Sequence, residues 1–372
     1  SLVASITLDD QAGLQLGDRK ITANPSGFSL NGKQVSPGTP GAVFRPGYGG
    51  SSLGGRGSFG SVITADGNEV DVGGAYIFSE EGTSIQPYEA RLDQLYNYAT
   101  DQTLLTPLER VFGTVNWKYD FASGERLVFE NSFASTAIAS TLAPMPLFHT
   151  SGLVLGLDET IMVPLTNPYV PDDVRALVAG VPGAEGIVLQ RRIVELGPRR
   201  TEIERRTYRS MIGLQGTLPQ EWTYDAYYQY GRSQVREERS GLLDLLNYQA
   251  ALDPERCTQV KGCSVINPFG SKGFSIDDVA FLTAPNAVRS LHADQHIVSL
   301  AFAGPVDVLT EEPSRFSFGI EYRQESLEDT PDERLNTRPV SGSLNFPGSS
   351  GSFGSLDFYG DMTFPLLSDL PG

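Results

Sequence analysis

Seven arginines crowd one stretch of the chain: Arg191, Arg192, Arg199, Arg200, Arg205, Arg206 and Arg209. A guanidinium presents forked donors to carboxylates and phosphates, so a mouth lined by Arg192, Arg199 and Arg200 could attract an anionic ligand. Glu195, Glu202 and Glu204 are interleaved with them, and cross-strand ion pairs on a wet rim would explain the run without any ligand. Tyr227 and Tyr230 are a second group of candidates, as aromatic platforms for a glycan. Cys257 and Cys263 lie close together beside Pro254 and Pro268 with no nearby histidine. That spacing favours a small loop-closing disulfide in an oxidising compartment over a zinc site, with two free thiols as the plainer alternative.

Other strings imitate chemistry without its context. Gly55-Arg56-Gly57-Ser58-Phe59-Gly60 fits the dinucleotide string, but Ser61 to Thr64 after it reads as a strand where that fingerprint needs a helix. Gly50-Ser51-Ser52-Leu53-Gly54 fits the nucleophile-elbow string without a strand-to-helix turn or partner residues. The three histidines are His149, His292 and His296. The i, i+4 spacing of the last two would suit metal ligands on a helix, yet the segment after them alternates like a strand, and titratable residues at strand ends are the better reading. Asp172 and Asp173, Glu311 and Glu312, and Asp332 and Glu333 fall in expected turns and loops, where solvated charge is the usual explanation. No catalytic, cofactor-binding or metal-binding constellation stands out, and the chain is not expected to be an enzyme.

The elements that must carry these side chains are strands. Among 372 residues there are 40 Gly, 24 Pro, 15 Tyr and 19 Phe, a composition of many strands joined by turns. No apolar run approaches the ~18 to 20 residues of a transmembrane helix. The net charge of −17 argues against a nucleic-acid partner, which needs a basic face. Ser1 to Asp10 carries no secretory signal, so the chain is expected to be mature or to begin in mid-protein.

Period-two alternation marks the strands. In Arg315 to Arg323, Phe316, Phe318, Ile320 and Tyr322 oppose Ser317, Gly319, Glu321 and Arg323. Trp222, Tyr224, Ala226, Tyr228 and Tyr230 likewise oppose Thr223, Asp225, Tyr227, Gln229 and Gly231. Leu356, Phe358, Met362 and Phe364 oppose Asp357, Tyr359, Asp361 and Thr363. Weaker alternation runs through Ser1 to Asp10, Val111 to Phe121, Leu127 to Ser135, Thr207 to Leu218 and His296 to Ala303.

The connections alternate between short and long. Ala122 to Arg126, Pro219 to Glu221 and Gly304 to Ser314 are short; Gln11 to Thr106, Ser140 to Pro198, Ser240 to Ala293 and Glu328 to Ser355 are long. Tight turns at one end and long loops at the other suit an outer-membrane barrel, with Trp117, Tyr119, Trp222 and Tyr224 as an interfacial girdle beside the short turns. A soluble β-sandwich with an aromatic core remains the alternative from pattern alone.

Ordered motifs add a resemblance. Tyr96-Asn97-Tyr98 followed by Thr106-Pro107-Leu108-Glu109-Arg110, then Leu142-Ala143-Pro144-Met145-Pro146, Arg192 to Arg200, Asn267-Pro268-Phe269-Gly270, Gly319-Ile320-Glu321-Tyr322-Arg323 and Pro365-Leu366-Leu367 resemble segments of TonB-dependent receptors of proteobacteria. The resemblance spans nearly all of residues 1–372, which read as one partial barrel domain. It implies an all-β fold: an antiparallel transmembrane β-barrel of 22 strands, about eight of them here, with long extracellular loops in a Gram-negative outer membrane. It also implies a plug and an N-terminal TonB box, neither of which is visible, so the chain is expected to be an internal slice. The implied function is import of a scarce nutrient, a ferric siderophore or a glycan, driven through TonB. Implied partners are TonB, outer-membrane lipid and lipopolysaccharide, and a small nutrient ligand. The competing reading is a structural or adhesive eight-stranded barrel, which could close on itself. The strands Ser1 to Asp10 and Leu356 to Leu366 discriminate: under the transporter reading they do not pair with each other.

Overall fold

In the computed structural model, which describes residues 1–47, 49–51, 54–147, 161–306, 314–333, 340 and 347–363, one antiparallel sheet holds eight long strands. They are β1 (Leu2–Gln11), β2 (Leu108–Asp120), β3 (Arg126–Leu142), β4 (Arg199–Thr217), β5 (Thr223–Ser240), β6 (Ala287–Val306), β7 (Ser314–Pro331) and β8 (Ser349–Thr363). The strands pair in chain order, and β1 and β8 occupy opposite edges, so the sheet is open among the described residues. Consecutive antiparallel pairing places the described residues of 12–107, 143–198, 241–286 and 332–348 at one end, and the turns 121–125 and 218–222 at the other. No helix is long and apolar enough to cross a membrane, which says nothing of strands. His149, Glu311, Glu312, Phe364 and Pro365-Leu366-Leu367 lie outside the described residues, as do Ser52 and Leu53 of the elbow-like string.

The register carries the alternation of single strands across the whole sheet. Leu2, Trp117, Phe129, Ile212, Tyr228, Val298, Tyr322 and Leu356 form one unbroken row from β1 to β8. The next row toward the short turns is Tyr119, Leu127, Leu214, Ala226, Leu300, Ile320 and Phe358. The cap described below leaves this face uncovered: Ile212 is 49% exposed, Val298 51% and Leu356 54%. On the opposite face the neighbouring row reads Glu130, Met211, Gln229, Ile297, Arg323 and Ser355. One face is thus apolar yet open, and the other is mostly polar. At the short-turn end the apolar face gathers Trp222, Phe302, Phe316 and Phe318, with Phe302 and Phe318 stacked at 5.3 Å. Glycine at position 304 makes room there, since a Cβ would overlap the Trp222 ring.

The strands outrun the alternation that reveals them. β6 has 20 residues and β4 has 19, against the ~9 to 11 that span a bilayer as a strand. Their far halves are charged and tied by ion pairs, such as Arg289 on β6 with Asp329 on β7. Paired charge sustains strand there without an apolar stripe.

The first three long connections are folded in their described residues. Residues from 12–107 and 143–198 share a five-stranded sheet ordered Val163–Pro164, Ala184–Ile187, Ser58–Thr64, Glu69–Phe78, Ile85–Pro87. Beside it are a three-stranded sheet over 27–45 and the helices α1 (Asp172–Val178), α2 (Leu245–Leu252), α3 (Pro254–Cys257) and α4 (Ile276–Leu282). Asp244 caps α2 by accepting from the Asn247 amide, and Ser275 with Asp278 forms a capping box on α4. One cluster unites the segments: Phe59 and Phe78 from the first, Ile187 and Ile193 from the second, Tyr248 and Phe269 from the third. Each is 2% exposed or less, and burying one such side chain contributes about 1.5–3 kcal/mol. The main apolar core of the molecule is therefore this cap. Gly270, at φ +76°, passes so close to Glu80 and Gly82 that a side chain would overlap their backbone.

Candidate functional site

The arginine run is dispersed by the fold. Arg191 and Arg192 sit on a short strand, Arg191–Ile193, paired with Met145–Leu147 inside the cap. Arg191 is fully buried and donates twice to Glu195, at 2.7 and 2.9 Å, and once to the Pro268 carbonyl at 2.8 Å. Its guanidinium lies 4.9 Å from the centre of the Phe274 ring. Arg192 donates to the Pro144 carbonyl at 2.6 Å and to the Ser51 hydroxyl at 3.3 Å, and stacks 5.0 Å over Tyr96. Burial lowers the pKa of Arg192, while burial and the hydrogen bond to Asp101 push the Tyr96 phenol up. Arg199 donates to the Ala143 carbonyl at 2.9 Å, and exposed Arg200 pairs with Glu202 at 2.6 Å on its own strand.

Arg192, Arg199 and Arg200 therefore do not line a common mouth. A buried guanidinium needs a counter-charge and hydrogen bonds. Glu195 and the Pro268 carbonyl serve the two terminal nitrogens of Arg191 while its Nε has no partner, the Pro144 carbonyl and Ser51 serve Arg192, and the pair thereby joins the three cap segments. Tyr96 and Pro144 are partners of Arg192, and Pro268 is a partner of the adjacent Arg191. Cross-strand pairing accounts for only part of the run. Arg209 reaches Glu130 on the next strand at 3.3 Å, whereas Arg206 pairs with Glu204 along β4.

Tyr227 and Tyr230 point to opposite faces of β5. Tyr227 is on the polar face and donates to Glu321 at 3.2 Å. Tyr230 is on the apolar face, donates to Asp294 at 2.7 Å and lies 5.0 Å from His296. Arg232 holds the same carboxylate at 2.7 and 3.1 Å, and the Tyr228 hydroxyl is 2.8 Å from the His296 ring. No platform can use both tyrosines. His292 and His296 are on strand β6, and among the described residues no group of three or more His, Cys, Asp or Glu could hold a metal ion.

The polar face presents a different site. A concavity of about 910 Å³ lies along β4 to β8, within the range of small-ligand pockets, and its lining includes Arg209, Gln229, Ser233, Gln295, Glu325 and Phe353. Of these only Arg209 was legible as a candidate. Glutamines on a polar strand face look ordinary, and the available signal was that alternation puts Gln229 on the same side as Tyr227.

Cys257 and Cys263 are joined in a disulfide that closes the end of α3, with Cα atoms 5.3 Å apart. Mass spectrometry of the unreduced protein should find the two linked, and recovery of both as alkylatable thiols would refute the bond in the living cell. Loop-closure entropy for so short a ring gives an expected loss of about 2 kcal/mol on changing both to serine. The Gly55 to Gly60 string opens cap strand Ser58–Thr64 and leads into no helix. Asp173, in the first turn of α1, accepts from the Ile85 amide at 2.7 Å and so ties two cap segments. Comparison with known proteins returns no match: no family model, no curated protein and no solved structure is similar to this chain.

Proposed function

We propose that this chain is part of the wall and mouth of a TonB-coupled receptor that imports a scarce nutrient across a Gram-negative outer membrane. The observation that carries the membrane reading is the uncovered apolar face, with one row unbroken across eight strands and the next across seven. In water so large a patch would drive association, whereas in a bilayer it is the solvent-matched surface. Its upper border is charged. The first charged residue on that face is Asp10 on β1 and Glu109 on β2; by register Arg206 on β4 and Glu328 on β7 come one row nearer the short turns, and Arg232 and Asp294 on β5 and β6 come two.

Open edges support a larger ring. Unpaired backbone groups in hydrocarbon cost several kcal/mol each, so β1 and β8 must pair with further strands, and a wider barrel leaves room for a plug and a ligand. The TonB coupling and the nutrient rest on the resemblance of the ordered motifs. In this reading the cap is extracellular, the short turns are periplasmic, and lipid and lipopolysaccharide surround the apolar band.

The test is topology followed by transport. Ser123→Cys in a short turn should resist an impermeant thiol reagent on intact cells, whereas Lys261→Cys in the cap should be labelled. Uptake of the ligand by the full-length protein should stop when the proton gradient is dissipated. Labelling of Ser123→Cys on intact cells would overturn the orientation, and gradient-independent uptake would overturn the coupling.

A further inference from the structure

A continuous side-chain ladder crosses five strands of the polar face. Arg209 on β4 donates to Glu130 on β3 at 3.3 Å and to Gln229 on β5 at 2.7 Å. Gln229 donates to Gln295 on β6 at 3.3 Å, and Gln295 donates to Glu325 on β7 at 2.7 Å. On β8, directly across from Glu325, stands Phe353, 60% exposed. All of these but Glu130 line the concavity of about 910 Å³. We infer that the ladder and Phe353 form a binding subsite for a neutral, hydroxyl-rich ligand of the saccharide class. The inference rests on the import reading and narrows its nutrient to one chemistry.

Valence bookkeeping supports it. Each glutamine amide has two donors and two acceptor positions, and the ladder uses one of each, so Gln229 and Gln295 both keep a donor and an acceptor side by side. A hydroxyl also donates and accepts, and neighbouring hydroxyls on a ring match such paired valences. The ladder fixes the amides in place, which lowers the ordering cost of binding. An exposed aromatic ring beside a polar ladder offers the apolar face of a sugar ring a surface to stack on.

Charge points the same way. An anionic metal chelate needs uncompensated cations, but the ladder's arginine, Arg209, is held by Glu130, and Arg323, on the same face, by Glu321 at 3.0 Å; exposed Arg205, further along that face of β4, lies outside the lining of the concavity. Arg191 and Arg192 are sealed in the cap core. Balanced charge gives little attraction for an anion, while paired hydrogen-bonding groups retain specificity for a neutral polyol.

The test uses the full-length protein in detergent micelles, titrated calorimetrically with maltotriose, cellotriose, xylotriose and, as the anionic probe, a ferric catecholate. A neutral oligosaccharide is expected to bind where the catecholate does not. Gln295→Met, which removes the amide at nearly constant volume, and Phe353→Ala should each weaken that binding about tenfold or more. Gln234→Met, on the opposite face of β5, should leave it unchanged, and unaltered protease resistance of the cap would show that all three variants are folded. Failure of every oligosaccharide to bind, or binding that neither Gln295→Met nor Phe353→Ala weakens, would overturn the inference. A catecholate that binds in place of the sugars would overturn it too, yet leave import intact. The import reading is tested separately, by whether uptake depends on the proton gradient.

Discussion

Replacing Arg191 by alanine is expected to destabilise the cap by about 3–5 kcal/mol, because it strands Glu195 as an unpaired carboxylate in an apolar core. Glu195 is 9% exposed and its only described cationic partner is Arg191. The Pro268 carbonyl would also lose its donor, freeing the third cap segment from the second. Limited proteolysis of the folded protein should then cut between 241 and 286, where the parent's buried core is expected to resist. Arg191→Met combined with Glu195→Leu removes both charges at similar volume and should recover most of the loss. If alanine alone leaves the proteolytic pattern and the unfolding midpoint unchanged, the arginine is not the lock described here.

The second large effect concerns the open apolar face. Val298→Arg, near the middle of the apolar rows, should cost about 2–4 kcal/mol in a folding assay in lipid vesicles. Glu321→Gln, one strand away on the polar face, should cost far less, since it keeps the hydrogen-bonding shape of a wetted residue. The contrast is the informative quantity. Equal tolerance at the two positions would mean that no hydrocarbon touches Val298, and the membrane reading would fail with it.

How much was legible depends on which physical signal each part uses. Alternation works where one face is apolar and the other polar, so Phe316, Phe318, Ile320 and Tyr322 were assigned together from a nine-residue window, and the register extends the assignment across the sheet. It fails where both faces are charged. The halves of β4 and β5 beyond Arg206 and Arg232 keep strand geometry through ion pairs, and no period-two stripe reveals them. The cap was opaque for another reason. Its strands are two to ten residues long, and its core draws single apolar residues from segments more than a hundred positions apart, so no local window contains the pattern. The arginine run was visible as composition, but composition cannot say that Arg191 and Arg192 face inward while Arg200 faces water.

The shared core of the first three long connections bears on how the cap can diversify. If each connection were an independent loop, any one could be altered or exchanged by itself. Here Phe78 of the first stacks on Phe269 of the third at 4.6 Å, and Arg192 of the second holds Ser51 and Tyr96 of the first. A foreign segment spliced into any one position would meet a vacancy or a clash in the other two. The three insertions are therefore a single heritable module: they must be inherited, grafted or lost together, and substitutions in one are expected to co-vary with substitutions in the others.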